Sequence, residues 1–149
     1  MERQFFNSKE KRNFINQIKE QYGINELNLD YVFMKDQKDK VYIISNKLKE
    51  INQKDFNISS YGLYFARDIG EIRLSVEGSQ IIGEYAKKNI IELDESLLKK
   101  WMQGLDITMD SDQEGFVLIK HKNNFYGCGK YKNGIILNYV PKERRVKFE

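Results

Sequence analysis

The stretch NNFYGCGKYKNGIILNYVPKERR, residues 123–145, decides how the chain is read. Its Gly-Cys-Gly-Lys centre is either a loop that cradles a phosphate or part of a β-strand. A Walker-type loop needs a glycine five positions before the Gly-Lys pair and Ser or Thr after the lysine. Asn124 and Tyr131 stand there instead. A dinucleotide fingerprint needs a third glycine where Lys132 lies. No helix-forming segment follows to hold an anion at its N-terminus. The stretch alternates as a strand: Phe125, Gly127, Gly129 and Tyr131 face one way, Tyr126, Cys128 and Lys130 the other. Two glycines on one face predict a sharp bend, or close approach of another backbone.

Working outward, FVLIKHK (116–122) and IILNYV (135–140) read as the flanking strands. Asn123-Asn124 and Lys132-Asn133-Gly134 read as the hairpin turns, Asn-Gly being the favoured type I′ pair. Upstream, Asp94 caps a predicted helix, DESLLKKWMQG, with Leu97, Leu98, Trp101 and Met102 as its buried stripe and Gly104 as its end. An acidic loop, ITMDSDQEG, links it to the strands, and NIIEL before it is a short strand. The C-terminal section is thus a small β-barrel or curled sheet with one or two helices.

The N-terminal section reads as a small α/β unit with an antiparallel sheet. Ser8 caps a helix carrying Phe14, Ile15, Ile18 and Tyr22 on one stripe, with Gly23 at its C-cap. YVFMKD and KVYIIS form a hairpin around DQKDK, and LKEINQ is a short helix or turn. ISSYGLYFARD and EIRLSV are two more strands, and residues 77–88 a second helix. The expected division is 1–87 and 88–149, without a flexible linker, so the two parts should pack together.

The 149 residues, 40% hydrophobic and 13% aromatic, suffice for a folded core and argue against disorder. One cysteine and one histidine exclude an internal disulfide and a Cys/His zinc site. The charged N-terminus is not a secretory signal, and no run is long enough to span a bilayer. A soluble, cytoplasmic protein is expected. The net charge of +3 is unevenly distributed. Residues 119–149 carry eight Lys/Arg against two Asp/Glu, or +6, leaving −3 on the rest. A basic end on a mildly acidic body suits a polyanion binder.

Catalytic candidates are weak. His121 has no evident Asp or nucleophile partner in sequence. Cys128 reads as a small buried hydrophobe rather than a thiolate nucleophile. Asp110, Asp112 and Glu114 lack a calcium-loop pattern. No catalytic residue, metal or cofactor is assigned. The basic residues carry more. Lys120 and Lys122 share a strand face, Lys130 and Lys132 flank the second turn, and Lys142, Arg144 and Arg145 follow the last strand beside Asn138 and Tyr139. These nine are the expected RNA contacts. Lys142 and the arginines suit phosphates, and Tyr139 suits either base stacking or barrel closure.

WMQG (101–104), GFVLIKH (115–121), FYGCGKY (125–131) and LNYVPKERR (137–145) occur in an order that resembles the PUA-like domain of RsmF-type RNA cytosine-5 methyltransferases. The family pattern runs aromatic-Leu-Arg-Gly, Gly-aromatic-Val-Leu, aromatic-small-Gly-x-Gly-Lys and Lys-Asn-aromatic-Pro-Lys-x-x-Arg. Met102-Gln103 and Leu137 depart from it, each at the cost of a basic residue. Residues 58–86 look like the segment before that domain, and an α/β unit followed by PUA is similar, more loosely, to Nip-type ribosome biogenesis factors.

The resemblance implies an α+β chain, a pre-PUA-like domain packed on a PUA-like barrel, that binds structured tRNA or rRNA. The catalytic cysteine motifs and cofactor loop of the methyltransferases are not in this sequence. The implied role is accessory, in trans with a separate methyltransferase. The alternative is a protein–protein adaptor in ribosome assembly, and neither role makes the chain an enzyme.

Overall fold

The computed structural model describes residues 2–50 and 60–148. Two five-stranded sheets and three helices make an α+β fold. The first sheet is an antiparallel meander: β1 (Gln4–Phe5), β2 (Tyr31–Lys35), β3 (Lys40–Ser45), β4 (Leu63–Asp68) and β5 (Ile72–Leu74). Helix α1 (Ser8–Tyr22) covers its inner face through Phe14, Ile18 and Tyr22. Asn7, rather than Ser8, is the N-cap. Its carboxamide accepts from Glu10 N–H while the Glu10 carboxylate accepts from Asn7 N–H, a reciprocal pairing that Ser8, one position later, has no geometry to make. Gly23 ends the helix in the left-handed region, as its position predicts.

Helix α2 (Val76–Gly83) is shorter than expected and starts at the cap Ser75. It stops because the chain turns back onto α1, where Lys87 and Lys88 N–H groups donate to Tyr22 O. The segment between the two sheets is thereby fastened. The helix expected over LKEINQ lies partly outside the described residues, and the visible turn is a 3₁₀ segment, Asn46–Glu50.

The second sheet has the order β6 (Ile90–Glu92), β8 (Gly115–His121), β9 (Asn124–Lys132), β10 (Ile135–Leu137), β7 (Ile107–Thr108), and is curled. Only β6 and β8 run parallel. Helix α3 (Glu95–Met102), capped by Asp94 as expected, packs on one face. Part of the expected acidic loop is the edge strand β7, because Ile107 pairs with Ile136 and buries its side chain. The last strand ends at Leu137. Asn138 N–H donates to Asp106 Oδ1 and Val140 N–H to Asn138 Oδ1, which turns the chain away.

Strand β9 is covered on both sides. Phe116, Leu118, Phe125 and Cys128 join the core of α1, α2 and the first sheet, including Phe33, Phe65 and Ile82. Val117, Ile119, Tyr131 and Ile136 pack with Trp101. One apolar cluster therefore crosses from one sheet to the other. At Gly83 of α2 a Cβ would lie 2.4 Å from the Phe125 ring, so the absence of a side chain there sets the helix close to β9.

Candidate nucleic-acid interface

The Gly-Cys-Gly segment is a seat for a tryptophan. Trp101 is fully buried, and its Nε1–H donates to Tyr126 O at 2.8 Å. A Cβ on Gly129 would sit 2.8 Å from Trp101 Cη2 and 2.5 Å from Ile136 Cγ2. Gly127 has φ +117°, a conformation other residues resist. Register confirms the bend: Leu118 pairs with Cys128 and Lys120 with Phe125, so β9 advances three residues while β8 advances two. That bulge moves Phe125 to the same side as Cys128, against simple alternation.

Cys128 is buried, and its Sγ lies 3.8 Å from Tyr22 Oη. Burial pushes its thiol up to about 11. A thiol so placed is protonated and shielded, the opposite of an activated nucleophile. Burial, together with the neighbouring cysteine, also raises Tyr22 well above the ordinary phenol value. The Tyr22 hydroxyl donates to Ile72 O at 2.9 Å. His121 Nδ1 lies 2.8 Å from Leu93 O and donates to it, which orients the ring structurally. Among the described residues no cluster of three or more His, Cys, Asp or Glu side chains is arranged to hold a metal. No helix among them is long and apolar enough to cross a membrane.

The nine residues expected at an RNA interface fall into three groups. Lys120 and Lys122 lie at the β8–β9 end. Lys120 Nζ is 5.8 Å from the centre of the Phe125 ring, and Lys122 is at the tip of the turn with φ 54°. That turn is Lys122-Asn123, one residue earlier than expected, with His121 and Asn124 paired across it. Lys130 and Lys132 lie at the other end of β9, about 25 Å away at ordinary strand rise. Glu71, Asp112 and Glu114 line the same shallow depression as these two lysines. The acidic loop is fastened there by Tyr131, whose hydroxyl accepts from Ser111 N–H and donates to Met109 O.

The third group is the C-terminal segment. Asn138 is internally committed: its Nδ2 donates to Trp101 O at 2.8 Å and Leu105 O at 2.9 Å. Lys142 and Arg144 lie on a 3₁₀ turn, Lys142–Arg144, with Lys142 exposed. Arg144 forms an ion pair with Glu77 at the start of α2. Arg145 lies over Gly104, where a Cβ would be 2.3 Å from its Nε, and donates from Nε to Val140 O at 3.1 Å. The residue as a whole is exposed. Tyr139 is 37% exposed. It makes an edge contact with Phe116, and Arg73 Cζ lies 4.2 Å from its ring centre. Lys130 Nζ lies 5.4 Å from the Phe116 ring. Lys130, Phe116, Tyr139 and Arg73 thus form one row, two rings with a cation at each end, and Tyr139 belongs partly to packing and partly to surface.

A cleft of about 370 Å³ opens beside this row. Lys40, Tyr64 and Arg73 from the first sheet form one wall, and Tyr139, Pro141 and Arg144 the other. Lys40, Tyr64 and Arg73 were not among the residues expected from sequence. Period-two alternation marks Arg73 as outward-facing, but nothing in the sequence brings it to Tyr139.

Exposed cations thus stand on the final turn, beside a curled sheet closed by a helix. Residues 88–146 match the family model of the Methyltransferase RsmF PUA domain, and this section is a PUA-like domain of the RsmF methyltransferase type. That domain is a non-catalytic RNA-binding module. No curated protein matches the chain.

Proposed function

We propose that the chain grips structured RNA, tRNA or rRNA, for an RNA-modifying enzyme of the RsmF methyltransferase kind whose catalytic residues lie outside this sequence. The match over residues 88–146 carries this reading. Lys142 and Arg145 are exposed and engage phosphates, while Arg144 contributes less because Glu77 already pairs with it. Tyr139 offers its free edge to a base.

The test is affinity of the chain for labelled tRNA and rRNA fragments over a range of salt concentrations. Affinity should fall as salt rises, with a slope reduced by about 1 for each phosphate contact removed in Lys142→Ala and Arg145→Ala. A flat salt response of the unmodified protein would overturn the reading. For the finer role, depletion of the protein should lower cytosine methylation of the bound RNA, and a methyltransferase should co-purify with it. Unchanged methylation and no such partner would remove that role.

A further inference from the structure

The outer face of the first sheet carries an arrangement that packing does not explain. Lys40 of β3 stands opposite Arg67 of β4, and Arg67 stands opposite Arg73 of β5. Like charges directly opposed across strands are unfavourable. Among the described residues the ion pairs are Lys35–Asp39 and Arg144–Glu77, and no carboxylate of those residues lies within 4.0 Å of any of the three. Lys40 Nζ is 5.4 Å from the Tyr64 ring centre, and Tyr64 lies 5.8 Å from Tyr42. Arg73 rests on Tyr139, across the cleft. Arg67 lies beside the cleft lining on the same sheet, and its Nε donates to Lys38 O.

A row of unneutralised cations beside accessible rings matches the chemistry of an RNA strand with its bases unpaired: phosphates take the cations and bases stack on the rings. The cleft volume lies in the range of small-ligand sites and suits one nucleotide. Glu77 also lines it, neutralised by Arg144, which leaves Lys40 and Arg73 facing one remaining acid, Glu143.

We propose that this cleft binds one unpaired nucleotide of the RNA, its base stacked on Tyr64 and its flanking phosphates held by Lys40, Arg73 and, beside them on the sheet, Arg67. The proposal rests on the RNA-binding reading above and extends it to a site shared between the first sheet and the matched residues. The two sheets would then share the RNA, duplex on the C-terminal segment and the unpaired strand in the cleft.

The test uses the whole chain and two fluorescein-labelled RNA hairpins, one blunt and one with an eight-nucleotide 3′ single-stranded tail. The tailed hairpin should bind tighter. Tyr64→Leu should remove that advantage, on the order of ten-fold for one lost stack, and leave the blunt hairpin unaffected. Lys40→Ala and Arg73→Gln should each lower the salt slope for the tailed RNA by about 0.7. Tyr64→Phe, which keeps the ring, should bind as the unmodified protein does and guards against a folding defect. Equal affinity for both hairpins, or variants that keep the tail's advantage, overturns the cleft site and leaves the C-terminal RNA reading intact. Competition by polyglutamate as effective as by RNA also overturns it, in favour of an acidic protein. Loss of all RNA binding in the unmodified protein overturns both readings.

Discussion

The indole of Trp101 lies so close to Gly129 that a single methyl group there would stand 2.8 Å from its ring. The same methyl would meet Leu137 O at 2.9 Å, and a backbone oxygen inside a sheet has little freedom to withdraw. Gly129→Ala should therefore destabilise the fold by about 1–3 kcal/mol, the usual cost of overpacking. Urea unfolding followed by the fluorescence of the single tryptophan measures it.

Removing the indole nitrogen tests the other half of that relationship. Trp101→Phe leaves Tyr126 O without its donor in a partly buried site. Loss of about 1 kcal/mol is expected from the missing hydrogen bond alone. Circular dichroism during thermal unfolding reads the shift, and a melting temperature equal to the unmodified protein's would count against the bond as described.

Cys128 makes a pH prediction. Burial raises its thiol from 9.0 to about 11, so the folded state holds the proton more tightly than the unfolded state. The associated stability is complete below about pH 9 and lost as pH rises towards about 11. Tyr22, raised by the same burial, adds a loss in the alkaline range. Cys128→Ala should flatten the alkaline decline without abolishing it, as seen in urea midpoints across pH. At neutral pH the native thiol should react with a disulfide reagent only as fast as the protein opens.

The Arg144–Glu77 pair ties the final turn to α2, with the arginine side chain 48% exposed. Screening by water limits its worth to below about 1 kcal/mol. Glu77→Gln should thus leave the melting temperature almost unchanged. It should also free Arg144 and steepen the salt dependence of RNA affinity by up to about 1 unit of slope. Titration at several salt concentrations distinguishes this from a purely structural pair, for which the slope stays constant.

Local features were legible wherever a residue's role depends on its near neighbours. Asp94 as a cap, Gly23 as a helix end and Asn133-Gly134 as a turn with both residues at positive φ follow from chemistry within a few positions. The turn at 122–123 shifted by one because cross-strand pairing, rather than the asparagines, chose its register. The candidate site was less legible. Asn138 reads as a free polar side chain in sequence, yet its amide is taken up by Trp101 O and Leu105 O. Lys130 and Lys132 read as a basic strip, yet Glu71 and the acidic loop share their surface.

Read alone, the sequence marks 127–130 as a strand and not a phosphate loop, since spacing and the missing helix are local facts. It also determined the order of the elements, the basic C-terminus and the PUA-like pattern. Only the tertiary structure decided what the glycines are for: they make room for a ring from 26–28 positions earlier in the chain. It alone decided that Lys40, Arg67 and Arg73 stand in one row and that Arg73 meets Tyr139. The physical reason is the same in each case. Propensity, capping and turn chemistry act between residues a few positions apart, whereas register and sheet-to-sheet packing are set by which distant apolar faces bury one another.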